Sequence, residues 1–415
     1  MRKPFGAWVV AITALVGPSA AMAGQAGPSV TFAKDVAPIL YKSCVECHRP
    51  TMFAPMSLVT YEDVRPWARA IKRRVSAREM PPWTADSAPG YFKNDPRLSE
   101  KEIATIARWV DAGAPRGVDA DMPKVPQFAA EGWTIGQPDI VFTMDQEWEI
   151  PAEGTVSYLN FRIPTKLAED KWIQAYEIRP SSRQHVHHVV ASAQPVGVGS
   201  AEGQRRGFSL GNIVPSKPGV VLPAGVGRLL PANSEIVLQM HYTTNGIPAK
   251  DRTSIGFIFA KEPPAKVVGG LGNLTKSDFV IPPQDGNYEM RVSTTLTEDK
   301  LLTTMMPHMH ARGKDMTYIA HYADGRSETL LSVPKYDFNW QITYELAQPK
   351  LLPKGTRVEV IAHFDNSANN MFNPDPAQEV RWGDQTWEEM MIGATTTLED
   401  PNAPRGGRQT SDQQP

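Results

Sequence analysis

The chain has 415 residues, with 43 Lys plus Arg against 45 Asp plus Glu, for a formal net charge of −2. That balance supplies no basic field for a nucleic-acid partner, and the length exceeds what one ordinary core fills, so roughly two to four units are expected. With only two cysteines, a disulfide-stapled fold is excluded.

In chain order, Met1-Arg2-Lys3, an apolar run from Phe5 to Val16 and Ala21-Met22-Ala23 have the basic, apolar and small-residue pattern of a secretory signal cleaved after Ala23. No later stretch is long and apolar enough to span a bilayer as a helix. The mature protein is therefore expected in the periplasm or outside the cell, with no membrane span. Both cysteines fall in Cys44-Val45-Glu46-Cys47-His48, the C-x-x-C-H signature of c-type haem attachment. Two thiols on one helical turn can form thioethers to the porphyrin, and the adjacent imidazole can ligate its iron. A zinc site would lack its second cysteine pair, and a redox C-x-x-C would need neither His48 nor export. Around the motif, Phe32 to Ser43 and Tyr61 to Ser76 have helical spacing of apolar residues. Ser99-Glu100-Lys101-Glu102 is a capping box opening a third helix that ends near Gly113. Met80, before Pro81-Pro82-Trp83, resembles the axial Met-Pro segment of class I cytochromes c; Met56 and Met52 are the alternative sixth ligands. Residues 30–118 thus read as a small all-α cytochrome c domain.

Residues 119–138, rich in Pro, Ala, Asp and Gly, read as a linker. Beyond them the periodicity is that of strands: Ile140 to Phe142, Ser157 to Phe161, Trp172 to Ile178, Glu235 to Tyr242, Ile255 to Phe259, Tyr288 to Val292, Thr317 to Tyr322, Ile342 to Leu346 and Arg357 to Phe364. Short strands broken by Pro, Gly and Asn argue for antiparallel sandwiches, and the length argues for two, 139–282 and 283–398, dividing near Pro282 to Asn287. The polar tail 399–415 is expected to be disordered.

Six histidines outside the haem motif fall in three clusters. His185-Val186-His187-His188 places three imidazoles in four residues, far beyond chance; His241 sits alone on the apolar strand Val237 to Tyr242; and His308-Met309-His310 follows Met305-Met306-Pro307. Residues two apart on a strand share a face, so His308 and His310 form a ready chelate for a transition metal. The same rule pairs His185 with His187. A lone strand histidine such as His241 is more often a satisfied core residue than a ligand.

The order of these motifs resembles the type II, ascorbate-dependent copper monooxygenases, typified by peptidylglycine α-hydroxylating and dopamine β-monooxygenases. The resemblance rests on Val186-His187-His188, Leu238-Gln239-Met240-His241-Tyr242, His308-Met309-His310 with Gly313-Lys314, and Glu389-Met390, over roughly Asp139 to Leu398. It implies two jelly-roll β-sandwiches with one copper each, facing across a solvent-filled cleft. The electron-transfer copper would take His187, His188 and His241, and the oxygen-activating copper His308, His310 and Met390. Imidazole serves both copper states while a thioether favours Cu(I), which agrees with that division. The adjacent pair His187/His188 requires irregular backbone, so His185 stays an alternative. Met390 and Met391 cannot both face one metal from a regular strand; the Glu-Met order favours Met390. His321 and His363 match no ligand motif, and His363 beside Asp365-Asn366 is the better cleft candidate. The disulfides and the substrate clamp of the animal enzymes have no counterpart, which leaves the substrate open.

The expected function is an exported haem–copper monooxygenase that hydroxylates a C–H bond of a small organic substrate with O₂. Its electrons would come from a periplasmic donor, a reduced cytochrome or small reductant, through haem and the three-His copper, fusion raising the donor's effective concentration. The competing reading is a non-enzymatic periplasmic copper-binding or electron-transfer protein. Zinc-dependent hydrolysis lacks a carboxylate base in the histidine motifs and gives the haem no role.

Overall fold

The structure, a computed structural model, describes residues 30–126 apart from 51 and 53, together with 132–196, 208–213 and 219–402. The expected leader 1–23, the tail beyond residue 402 and residues 127–131 of the expected linker lie outside the described residues. The chain is mostly β-sheet with few helices. No helix among the described residues is long and apolar enough to cross a membrane.

The helices are Ala37–Ser43, Tyr61–Val64, Ala68–Ser76 and Glu100–Asp111. Ser99 Oγ accepts from Glu102 N at 3.3 Å while the Glu102 carboxylate accepts from Ser99 N at 2.7 Å, the reciprocal cap that the S-x-x-E spacing predicts. The stretch expected as one helix from Tyr61 to Ser76 tightens into a 3-10 turn at Arg65–Trp67, where Pro66 has no N–H to donate. Phe32, Leu40, Ile71, Val75, Ile106 and Trp109 bury one core between these helices.

That helical part is not closed on itself. Between its last two helices, residues 83–94 run as a strap across the C-terminal β unit. Trp83 meets Phe92 and Tyr344 edge-on, with ring centroids 5.8 Å and 4.9 Å away. Lys93 N donates to Glu345 O at 2.9 Å, and Ala347 N to Tyr91 O at 3.0 Å. Ala85 and Phe92 are members of the β core, with Trp83 and Tyr91 packed against it. Residues 30–118 therefore do not form the separate all-α unit that the helical pattern alone suggests. Trp83, Tyr91 and Phe92 carry more apolar surface than the small helical core can cover, and the β unit covers it.

Two β cores follow. In the first, an antiparallel sheet runs in the order Leu159–Pro164, Ser234–Tyr242, Val186–Pro195, Phe208–Ile213. Its inward side chains, such as Val189, Ile236 and Leu238, meet Ile173, Ile178 and Phe257 of the facing strands Lys171–Arg179 and Ser254–Phe259. In the second, the sheet Tyr288–Thr295, Arg357–Phe364, Gly313–His321, Ser327–Val333 buries Met316, Tyr318, Val358 and Val360 against Leu302, Met305 and Met391. The strands Val226–Leu230 and Lys266–Gly269 pair in parallel, so one ten-stranded sheet passes through both units. The chain crosses to the second core at Lys266–Gly269, ahead of the Pro282 break, because that strand also hydrogen-bonds Met391–Glu399. Leu271, Leu274, Phe279 and Ile281 already pack in the second core.

Candidate metal centre

His187 and His188 are neighbours on the strand Val186–Pro195, and regular alternation would turn them to opposite faces. The pairing with Ser234–Tyr242 removes that obstacle: Val186 lies opposite Tyr242 and His188 opposite His241, with His187 left over as a β-bulge. A bulge re-aims one side chain, and here it brings three imidazoles together. His188 Nδ1 is 3.1 Å from His187 Nδ1 and 3.2 Å from His241 Nδ1. Three imidazole nitrogens bound at 2.0–2.1 Å to one tetrahedral ion lie roughly 3.3 Å apart, so the group has the dimensions of a metal site. His188 is only 4% exposed, and burial holds its imidazole well below the usual range, with the neighbouring histidines adding to the effect. Burial likewise lowers His187, and lowers His241 to about 3. Neutral imidazoles are the form that binds a metal.

His185, the alternative that strand geometry favoured, is engaged elsewhere. Its Nδ1 is 2.8 Å from Ser182 Oγ, and its Nε2 is 2.9 Å from Asn245 Oδ1 and 3.1 Å from Ile247 O. One ring nitrogen fixes the turn that enters the bulged strand, and the other holds the segment that follows Ser234–Tyr242.

The second group forms where Lys300–His308 ends. His308 Nδ1 is 2.8 Å from Gln341 Oε1, and His310 Nδ1 is 3.1 Å from Glu388 O. A carbonyl oxygen only accepts, so each Nδ1 carries the proton and each Nε2 carries a lone pair. His310 Nε2 is buried without a hydrogen-bond partner, and burial lowers that imidazole to about 3. An orphaned lone pair of this kind calls for a cation or donor that completes it. Met391 opens the strand Met391–Glu399 and packs into the second core, whereas Met390 is buried, at 3% exposure, outside that core. His308 lies opposite Ile392 across the strand pair, so Met391, one residue earlier, faces the core on the other side of the sheet.

The carboxylate of Glu389 fixes this corner. It accepts from the backbone N–H of His310 at 2.8 Å, of Arg312 at 2.6 Å and of Met390 at 3.2 Å. Burial raises its carboxyl to about 7, against the lowering effect of those bonds and of Arg312. Arg312 is itself buried and donates from Nε to Asn366 Oδ1 and from Nη1 to Trp387 O, both at 2.8 Å. Gly313 is required by space: a Cβ there would fall 2.6 Å from Met309 Cβ and 2.8 Å from the Tyr336 ring.

Two aromatic rings stand between the histidine groups, where the resemblance leads one to expect a solvent-filled cleft. Tyr158 lies with its centroid 5.6 Å from His188, 4.6 Å from His241 and 6.2 Å from His310. Phe338 is 5.9 Å from His187, 6.0 Å from His241 and 5.9 Å from His310. Phe338 belongs to residues 334–343 of the second unit, which also supply Gln341 to His308, a Tyr336 hydroxyl that donates to Met309 O at 2.7 Å, and the Asn339 backbone to His187. One loop thus touches both groups. Tyr158, Phe338, Gln341 and Tyr336 carry no motif and escape a sequence reading; their positions follow from tertiary packing.

At the C-x-x-C-H motif, Cys47 N and His48 N both donate to Cys44 O, at 3.2 Å and 2.9 Å, which stacks the two thiols and the imidazole on one turn. Cys44 and Cys47 are not joined to each other, and burial pushes their thiols up to about 12 and about 11. Reactive redox cysteines have the opposite shift. His48 Nδ1 is 3.2 Å from Met56 O, so Nε2 again carries the lone pair. Met80 is half-buried at the end of the turn after Ala68–Ser76, Met56 is half-buried against the helical core, and Met52 is buried. His321 is bound to Ser327 and Glu359, and His363 to Asp315 and Glu289; both lie on the Arg357–Phe364 sheet, away from the histidine groups.

No family model matches the chain, and no curated protein matches it in sequence. Among solved structures, the major capsid protein P2 of bacteriophage PM2 aligns at 7% identity over 63% of this chain and 98% of its own, with a TM-score of 0.25. PNGF-II aligns at 8% identity over 65% and 66%, with a TM-score of 0.27, and a protein of infectious bursal disease virus, Gx strain, at 10% over 64% and 73%, with a TM-score of 0.18. Likenesses this slight carry no conclusion about fold or function.

Proposed function

We propose that this chain is an exported haem–copper monooxygenase of the type II copper class, with a c-type cytochrome part followed by two jelly-roll copper units. The observation that carries the reading is the double histidine constellation. The Nδ1 atoms of His187 and His241 lie within 3.2 Å of His188 Nδ1, and in a second pair of histidines His310 has a buried Nε2 without a partner. The donor sets suit different tasks. Three neutral imidazoles, His187, His188 and His241, serve either copper state and so suit electron transfer, whereas His308 and His310 with the thioether of Met390 favour Cu(I), the form that meets O₂. When bound, copper and haem would supply one-electron transfer and oxygen activation, so that one oxygen atom enters a C–H bond of a small organic substrate and the other leaves as water, with two electrons and two protons consumed.

The chain's own residues have definable tasks. Gln341 and the Glu388 carbonyl hold the tautomers of His308 and His310, and Glu389 fastens the backbone on both sides of His310. Tyr158 and Phe338 keep water from the space between the groups. In the haem part, Cys44 and Cys47 would form the thioethers and His48 Nε2 would ligate the iron. The Met56 carbonyl holds the Nδ1 side of that imidazole and Met52 Sδ is engaged by Arg183, which favours Met80 as the sixth ligand. The electron donor would be a periplasmic cytochrome or small reductant.

Metal and haem analysis of the purified protein tests the reading: two copper and one haem per chain are expected, and one zinc without haem would overturn it. A second reading, a copper-binding electron carrier with no substrate, is favoured by one observation, the Tyr158 and Phe338 rings lying between the groups. Oxygen uptake that rises with an added organic substrate, with a product heavier by one oxygen atom, separates the two.

A further inference from the structure

The loop that carries Cys44, Cys47 and His48 continues to Met52, which is 3% exposed. What covers it comes from the first β unit: Arg183 Nη1 lies 3.8 Å from Met52 Sδ. Arg183 sits in the turn closed by His185 N donating to Ser182 O, and that turn leads into the bulge at His187. On its other side the guanidinium is 3.9 Å from Glu177 Oε1, the same distance as Arg179 Nε. Glu177 is fully buried; its Oε2 accepts from Thr134 N, Thr134 Oγ1 and Ile135 N, while Oε1 has no hydrogen-bond partner. Burial lowers the Arg183 guanidinium, and the charges around it come from both parts of the chain, Glu177 and Arg179 on the β side, Arg49 and Glu46 on the haem-loop side.

A half-buried arginine whose nearest partners are a sulfur at 3.8 Å and a carboxylate at 3.9 Å contributes little to either part alone. Its geometry makes sense as a junction. Among the described residues, the helical part meets the β units here and at the Trp83 strap, and the two contacts lead to different destinations. The strap reaches Tyr344, close in sequence to Gln341 and so to His308. The Arg183 turn reaches His187.

We propose that Arg183 docks the C-x-x-C-H loop onto the turn before His187, making that turn the port through which electrons enter the three-histidine group. The inference rests on the haem–copper reading above. In each transfer one electron moves, oxidising ferrous haem to ferric and reducing cupric copper at His187, His188 and His241 to cuprous; no proton or leaving group is involved. Arg183 is a positioning residue, since it acts by holding the loop.

The test uses the full haem-loaded chain. Arg183→Glu sets a carboxylate beside Glu177 and Glu46, Arg183→Lys keeps the charge, and Arg183→Gln replaces the reversed charge if that variant does not fold. Hydrogen exchange of peptides covering residues 44–58 should be at least tenfold faster in Arg183→Glu and near normal in Arg183→Lys, with residues 234–242 unchanged. Under argon, oxidation of ferrous haem by the cupric three-histidine site should slow at least tenfold in Arg183→Glu, with the haem midpoint potential and the copper spectrum unaltered. Unchanged exchange would show that Arg183 does not dock the loop. A released loop with oxidation at the normal rate would move the port elsewhere, and slowing by Trp83→Phe instead would name the strap. A wild-type chain with no haem or copper refutes the functional reading itself, and the exchange measurement still decides whether Arg183 docks the loop.

Discussion

Replacing Gly313 with alanine should disturb the His308/His310 corner. The backbone at Gly313 needs no positive φ, so the effect comes from space alone. Its added Cβ would stand 2.6 Å from Met309 Cβ and 2.8 Å from Tyr336 Cδ1, against ordinary contacts that begin near 3.4 Å. Met309 Cβ is fixed to its backbone and cannot rotate away, so the segment between the two histidines must move by about 0.8 Å, the difference between those contacts. Overpacking of this kind costs about 1–3 kcal/mol, and a site of fixed geometry tolerates only about 0.5 Å. The Tyr336 hydroxyl bond to Met309 O would be strained in the same movement. Urea unfolding of the metal-free protein should show the loss of stability, and copper titration should show one site of normal affinity and one weakened at least tenfold. Stability within 0.5 kcal/mol of wild type together with two undisturbed copper sites would refute the argument.

Other outcomes follow from the same geometry. Met390→Leu should remove the sulfur neighbour from the X-ray absorption spectrum of bound copper, whereas Met391→Leu, a core swap of similar volume, should keep it and cost less than about 1.5 kcal/mol. His188→Ala should abolish copper at the three-histidine site. His185→Ala should retain it while lowering stability by about 1–3 kcal/mol, because the buried imidazole's hydrogen bonds to Ser182 and to Asn245 and Ile247 are lost, each nitrogen contributing about 0.5–1.5 kcal/mol; loss of copper in His185→Ala and retention in His188→Ala would reverse the ligand assignment. In the metal-free protein, the folded-state values of His241 and His310 lie at about 3, below the ordinary 6.5. Depressed histidines contribute stability that is present above pH 6.5 and lost as pH falls toward about 3. Unfolding followed from pH 7 to pH 4 should therefore show a steady loss, and a flat profile would contradict the burial of neutral imidazoles.

The sequence by itself determined the local patterns of the parts. The C-x-x-C-H turn was legible because local backbone bonds from Cys47 and His48 to Cys44 suffice to place both thiols and the imidazole together. The Ser99 cap and nine of the strands were equally legible, since each depends on a pattern within a short window. Candidate ligands could be named for the same reason, as clusters a few residues long. Their selection needed the tertiary structure. Strand alternation alone pairs His185 with His187, and only a register slip against the strand of His241 groups His187 and His188 with it. Met390 and Met391 differ only in which sheet face the core occupies. The helical pattern of residues 30–118 gave no sign that Trp83 and Phe92 would be covered by a strand more than 250 positions later. Tyr158, Phe338, Gln341 and Arg183 lie in no motif at all. Contacts between residues far apart in the chain are set by how whole sheets pack, and that packing is decided by the summed burial of two cores rather than by any stretch of sequence that contains the site.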